Sequence, residues 1–320
     1  MTTLGGLGPL FLAAPPWQNP DLFFGQVVAG VATGSIYGLV ALGIVLIYRS
    51  TDVVNFAQGE MALFATFAGW SLVQAGVDYW LVFFAVLALA GLMGAFIERT
   101  VIRPVEGAPV LNVVIVTLGL FVILNSLSGF IWARGDLPKV FPTTPFGSEL
   151  QGVDLGFAII SRHRIAVIII SVAVMGALYL LFNHTKLGLA MRATAHNPLA
   201  SRLMGINVGR MLMLGWTLSA IVGAVGGILV APIVFLDLTT MLRVILFAFA
   251  AAVLGGLDSP PGAMVGGVII GVVQNLASTY SFGPIFFGPE LSLPIALLVL
   301  VLILVVRPTG LFGRKAVRRV

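Results

Sequence analysis

Long apolar runs separated by short polar stretches dominate the chain. Runs near the roughly 20 residues that a hydrocarbon core requires fall at 26–48, 57–75, 80–97, 110–133, 165–182, 211–230, 262–280 and 291–306. A ninth, 244–257, is short for a full crossing. It is expected either as a half-helix that enters and leaves on one side or as a tilted or locally thinned span. The runs are continuous rather than alternating, which excludes membrane barrel strands. Helices then remain as the way to satisfy backbone polar groups in lipid. The expected fold is all-α, a polytopic transmembrane bundle of eight or nine spans.

Composition agrees with this pattern. Hydrophobic residues make up 59% of the 320 positions and charged residues only 9%, against about 25% in a soluble domain. Mean hydropathy is +1.10. So few charges cannot clothe a soluble fold of this size, and soluble enzymes and nucleic-acid binders are excluded. The basic balance, 17 Lys and Arg against 12 Asp and Glu, is better read as loop orientation. With 183–210 inside and 244–257 counted as a span, twelve cations lie on the inner side. Five lie outside: Arg134, Lys139, Arg162, Arg164 and Arg243. The expected orientation is N-out, C-in. Residues 1–25 are read as an N-terminal tail without the basic start of a cleavable signal, with Trp17 and Phe23 suited to the interface. Residues 26–306 form the transmembrane domain, and 307–320 a basic cytoplasmic tail.

Several chemistries are missing from the sequence. There is no Cys, so no thiolate or Cys-ligated metal. No Lys follows a Gly, so there is no P-loop. The three histidines, His163, His184 and His196, are scattered and read as solvated loop residues, and no metal is expected. Among acidic residues only Glu60 lies just inside a span. The chain therefore carries no evident energy-coupling group or cofactor of its own.

Energy from elsewhere would enter through the polar loop 183–210. Within it Asn197 can cap a helix, Pro198 can be its first residue, and Gly205 its stop. Leu199, Leu203 and Ile206, at i, i+4 and i+7, give that helix an apolar face. It suits either a groove on a peripheral partner or lipid headgroups. Inside the spans, Gly30, Gly34, Gly38 and Gly43 place small residues on successive turns, which allows close helix approach. Ser35, Asn55, Gln58, Gly59, Glu60, Thr117, Asn125 and Gln274 are the candidate pathway positions. Polar side chains at such sites either line a pathway or pair internally.

Four blocks carry a family resemblance. Arg192-Ala193-x-Ala195…Ala200…Leu203-x-Gly205-Ile206-Asn207 resembles the cytoplasmic coupling loop of LivH-type branched-chain amino-acid ABC transporter permeases. Gly34-Ser35-Ile36-Tyr37-Gly38-Leu39…Gly43 followed by Asn55-Phe56-Ala57-Gln58-Gly59-Glu60 resembles that family's first-span and Asn-Phe-Ala-His-Gly-Glu motifs, with Gln58 where the family often has His. Ala252-Val253-Leu254-Gly255-Gly256…Pro261-Gly262-Ala263…Gly266-Gly267 is similar to its late Gly-rich hairpin. Arg307-Pro308-Thr309-Gly310-Leu311-Phe312-Gly313 is similar to its ending. The resemblance implies a non-enzymatic plasma-membrane permease that imports branched-chain or other hydrophobic amino acids. It also implies a second permease of LivM type, two cytoplasmic ATPases that bind the ATP, an extracytoplasmic solute-binding protein and surrounding lipid, with no nucleic acid. The coupling residues would be Arg192, Asn197, Pro198, Leu199, Leu203, Gly205, Ile206 and Asn207. Two alternatives are the same machine serving urea, amides or small carboxylates, and a stand-alone channel or secondary carrier.

Overall fold

A computed structural model describes residues 20–51, 53–133, 138–142, 144–147, 152–154, 159–282, 285–286 and 288–313. Among them the chain forms eleven helices: α1 (Pro20–Thr51), α2 (Gln58–Gln74), α3 (Tyr79–Ile97), α4 (Val110–Trp132), α5 (Arg162–His184), α6 (Lys186–His196), α7 (Pro198–Leu203), α8 (Val208–Val230), α9 (Thr240–Gly255), α10 (Pro260–Thr279) and α11 (Gly288–Val306). Two short antiparallel hairpins join them. β1 (Gly152–Asp154) pairs with β2 (Ile159–Ser161), and β3 (Ser281–Phe282) with β4 (Ile285–Phe286).

Each of the nine apolar runs lies in a helix. Six helices are long and apolar enough to cross a membrane: α1, α3 with its continuation to Val105, α4, α5, α8 and α10. The expectation of eight or nine spans exceeds this count because α2, with 17 residues, α9 and the Glu290–Val306 part of α11 are shorter. Among the described residues helix α1 runs from Pro20, ahead of the apolar run.

Helix α1 is the centre of the bundle, with 89% of its apolar window buried, against 22% for α4 and 17% for α5. A helix that is apolar all round is expected in a core, and α10, α8, α9 and α5 surround this one. Gly30, Gly34 and Gly38 repeat every fourth residue and face Gly267, Met264 and Gly271–Val272 of α10. A Cβ on Gly34 would lie 2.5 Å from the Gly267 carbonyl oxygen, and one on Gly271 would collide with the Gly34 backbone. At this crossing backbone touches backbone. Helix α9 ends at Gly255 and turns through Gly256 (φ 102°) into α10, which opens on Pro260 and Pro261. The segment after α11 seals that turn, since Leu311 N donates to Leu254 O (2.8 Å) and Phe312 N to Gly255 O (3.0 Å).

His163 corrects the reading of the histidines as solvated loop residues. It sits in the first turn of α5 and is buried. One ring nitrogen lies 3.0 Å from Leu229 O at the end of α8, and the other 3.3 Å from the Thr144 hydroxyl. A carbonyl near a helix end lacks an intrahelical donor, and His163 supplies a ring nitrogen there.

Gly271→Leu is expected to destabilise the bundle by about 3 kcal/mol or more, because backbone cannot retreat as a side chain can. Gly119→Ala and Gly176→Ala, whose added Cβ meets nothing within 4 Å, should be neutral. Thermal unfolding of the three purified variants in detergent separates them; equal midpoints would remove the claim that this crossing sets stability.

Candidate functional site

Helix α2 starts in the interior of the bundle. Gln58, its first residue, donates through Nε2 to Ser219 O (2.9 Å), and the Ser219 hydroxyl, with one proton to give, lies 2.8 Å from Gln58 Oε1 and 2.7 Å from Gly43 O. Ser219 is the middle residue of α8, about 16 Å from that helix's start by helical rise. The chain therefore leaves α1 at Thr51 and re-enters the bundle before becoming helical again. Irregular backbone is tolerated at such depth only inside protein, and Asn55 and Ala57 are fully buried here. Asn55 holds the segment: its Oδ1 accepts from Ala57 N (3.0 Å) and its backbone oxygen from Gln58 N (3.3 Å). Asn55, Gln58 and Ser219 thus form one knot joining α1, α2 and α8. Gly59 packs against α9; a Cβ there would meet Met241 O at 3.3 Å.

Glu60 lies on the next step of the same turn and has no solvent exposure. Asn125 of α4 donates from Nδ2 to Glu60 Oε2 (3.0 Å) and to Leu238 O (3.0 Å). Glu60 Oε1 has no partner among the described residues, and neither does the buried Ser128 Oγ, one turn beyond Asn125 on α4. Buried polar atoms left unpaired cost about 1–3 kcal/mol each. Asp237 fixes the turn that carries Leu238, accepting from the Thr239 amide (2.6 Å) and hydroxyl (2.7 Å). Burial pushes the Asp237 carboxyl up, but Thr239, Arg243 and Thr240 outweigh it and hold it below the usual carboxylate range.

The other pathway candidates lie apart from Glu60. Ser35 bonds Val31 O (2.7 Å) and Thr117 bonds Val114 O (2.9 Å), so both hydroxyls are satisfied by the preceding turn of their own helix. Gln274 accepts from Tyr37 OH (2.7 Å), and the Tyr37 ring stacks on Phe247 of α9. Sequence reading missed Tyr37 and Ser128, which carry no periodic signal. It also missed the Glu98–Arg103 pair (2.8 Å), in which Glu98 is buried and Arg103 reaches on to Gly209 O (3.0 Å).

The polar loop 183–210 contains two helices where one was expected, because α5 runs on to His184 and α6 follows at once. Arg192 is a half-buried residue of α6 whose Nε has no partner among the described residues. Helix α7 has the expected ends: Asn197 Oδ1 accepts from Ala200 N (2.9 Å), Pro198 is the first residue, and Gly205 has φ 80°. Asn207 then caps α8 by accepting from Arg210 N (3.0 Å). Leu199 is 70% exposed, and Leu203 and Met204 82% each, while Ile206 is half-buried. Such leucines at the surface of a capped helix form a small unpartnered apolar face.

A family profile described as "Branched-chain amino acid transport system / permease component" matches residues 26–305. The chain belongs to this permease family. It is 30% identical over 313 residues to the high-affinity branched-chain amino acid transport system permease protein LivH of Salmonella typhimurium, covering 93% of this chain and 98% of that one. It is 30% identical over 308 residues to the permease protein BraD of Pseudomonas aeruginosa, covering 92% and 97%. The galactose/methyl galactoside import permease protein MglC of Escherichia coli is 27% identical, covering 78% of this chain and 70% of that protein. Among solved structures, PsaBC from Streptococcus pneumoniae in complex with Fab aligns at 15% identity and TM-score 0.46, covering 87% of this chain and 89% of that one. The chain is thus a multi-pass membrane permease, and the family resemblance drawn from its motifs stands.

Glu60→Ala is expected to cut substrate uptake at least tenfold while leaving membrane insertion and yield near wild type, and Glu60→Gln should fall between them. Uptake normalised to protein abundance tests this; wild-type uptake by the alanine variant would make Glu60 a structural residue.

Proposed function

We propose that this permease is the membrane-spanning subunit of an ATP-driven importer of the inner membrane, oriented N-out and C-in. The observation that carries the reading is α7: a capped helix in a polar loop, whose Leu199 and Leu203 are left exposed by the described residues. On this reading a permease without a P-loop takes its force from a partner, and a rigid apolar ridge is a contact through which that partner delivers it. Two cytoplasmic ATPases would take that ridge, a second permease of LivM type would complete the pathway, and a solute-binding protein would load it from outside. Transport would proceed by rocking of the bundle between inward-open and outward-open states.

The substrate class we infer is branched-chain or other hydrophobic amino acids. Near-full-length similarity to LivH and BraD supports this reading. So does the chemistry at the start of α2, where a carboxylate oxygen without a partner could receive an ammonium group. The interior first turn of α2 adds the positive end of a helix dipole for a carboxylate. The relation to a galactoside permease shows that related sequences carry unlike cargo in their names. Urea, amides and small carboxylates therefore stay as outcomes of a binding assay on the cognate solute-binding protein.

Leu203→Asp tests the coupling. A charge placed in a desolvated contact costs about 3 kcal/mol or more, enough to release the ATPase, while the bundle should insert normally. The expected result is loss of ATPase co-purification and of substrate-stimulated ATP hydrolysis; retention of both would remove α7 from the coupling role, and transport that needs no ATPase would favour a stand-alone carrier. The orientation is checked separately by cysteine labelling on this Cys-free chain. Arg318→Cys, outside the described residues, should resist an impermeant reagent in intact cells, and cysteines placed within 136–160 should react.

A further inference from the structure

Helix α5 leans on α1 and stands off from α3 and α8, which opens a cleft of about 770 Å³ along the flank of the bundle. Its walls are Trp80, Phe83 and Leu87 of α3 and one face of α5, from Ile165 to Leu181, over a floor of α8 residues that includes Ile221 and Val225. The α5 residues lining it recur at three- and four-residue spacing, so the cleft follows that helix for about 28 Å by helical rise. That is nearly the thickness of a hydrocarbon core.

One end differs from the rest. There the lining contains Arg162, the first residue of α5, beside Trp80 and Phe146, whose rings meet edge to face with centroids 5.8 Å apart. Arg162 is exposed, and no carboxylate pairs with it among the described residues. Tryptophan and arginine at the end of a span are the side chains of the headgroup level. Elsewhere the lining is apolar. The cleft thus offers a long dry trough with a single cation at its mouth.

We infer that this cleft binds an anionic phospholipid, with an acyl chain along α5 and the phosphate on Arg162. The occupant must be a long apolar chain ending in an anion, placed at the interface end of a span. A lipid of the leaflet on that side meets each condition. A helix from a second permease would fill the trough but would leave Arg162 to find a carboxylate at the headgroup level. Small residues on α5, Ala166, Ala173 and Ala177, keep the trough open along its length. The inference rests on the membrane position of the chain and not on how transport is driven.

The test uses the full chain in its purified assembly, placed in nanodiscs of phosphatidylglycerol and phosphatidylethanolamine. Each lipid in turn carries a photoactivatable group at mid-chain, and labelled peptides are mapped by mass spectrometry. Phosphatidylglycerol should label the peptide containing Ile169, Ile170 and Ala173 in preference to phosphatidylethanolamine. Arg162→Gln should cut that labelling about fivefold, the factor expected for one interfacial cation, and leave the phosphatidylethanolamine signal unchanged. Ala173→Trp should abolish labelling by both. Equal labelling by the two lipids, indifferent to Arg162→Gln, would overturn the assignment; so would an unlabelled cleft whose residues crosslink to another subunit. Should Ala173→Trp fail to fold, the exposed Arg162→Gln variant still decides the question.

Discussion

The structure depends on one helix having no lipid-facing side. Helix α1 is apolar all round and almost wholly buried, so its neighbours must close around it. Lipid is as apolar as leucine, and hydrophobicity alone gives α1 little reason to prefer helices to lipid. Close contact does give a reason. The four-residue glycine repeat brings the α10 backbone against that of α1, and Gly223, Gly226 and Gly227 of α8 make room for the side chains of Gln58, Val40 and Thr66 on α2 and α1. Dispersion grows steeply as atoms approach. A bundle held in this way tolerates polar side chains at its centre, because the surrounding contacts fix their partners.

That tolerance is used at the start of α2. A helix beginning halfway across a bundle leaves its first amides without carbonyls. Here Asn55 answers part of the deficit and the Gln58–Ser219 pair ties the break to α8. The knot is nearly satisfied, whereas Glu60, two residues on, keeps one oxygen unpartnered. The two neighbouring polar groups therefore differ in kind. Gln58 holds the break in place, and Glu60 keeps one carboxylate oxygen without a partner among the described residues.

Much of this was legible in the sequence, for identifiable reasons. Apolar run lengths gave the helices because bilayer thickness sets a length. The caps of α7 were readable because Asn, Pro and Gly each act on their own backbone. The pairings were not readable. Nothing local in Asn125 or Ser219 says which helix faces it, and His163 looked like a loop residue because it precedes the apolar run that its own helix carries. The shortness of α2 was hidden for a similar reason: Asn55-Phe56-Ala57 reads as a span's approach, and only the bonds to Ser219 place it inside the bundle. Arg162 shows the same limit, since its charge reads as an outer-loop cation until the cleft beside it is seen.

Helix α8 connects the two regions that matter. It begins at Val208, directly after the turn that closes α7, and Asn207 caps it. Its middle residue carries the bonds to Gln58 and Gly43. Arg103, paired with buried Glu98, donates to the carbonyl of Gly209, the second residue of α8, so the start of α8 is tied to the segment that continues α3 as well as to α7. On the proposed reading, force applied at α7 meets a helix that is held at its first turn and bonded at its centre to the broken start of α2. A rigid helix held at those two points cannot shift at its foot without loading the Ser219 contact. That contact is the Gln58 Nε2 donation to Ser219 O, with the Ser219 hydroxyl placed between Gln58 Oε1 and Gly43 O, so it links the centre of α8 to both α2 and α1.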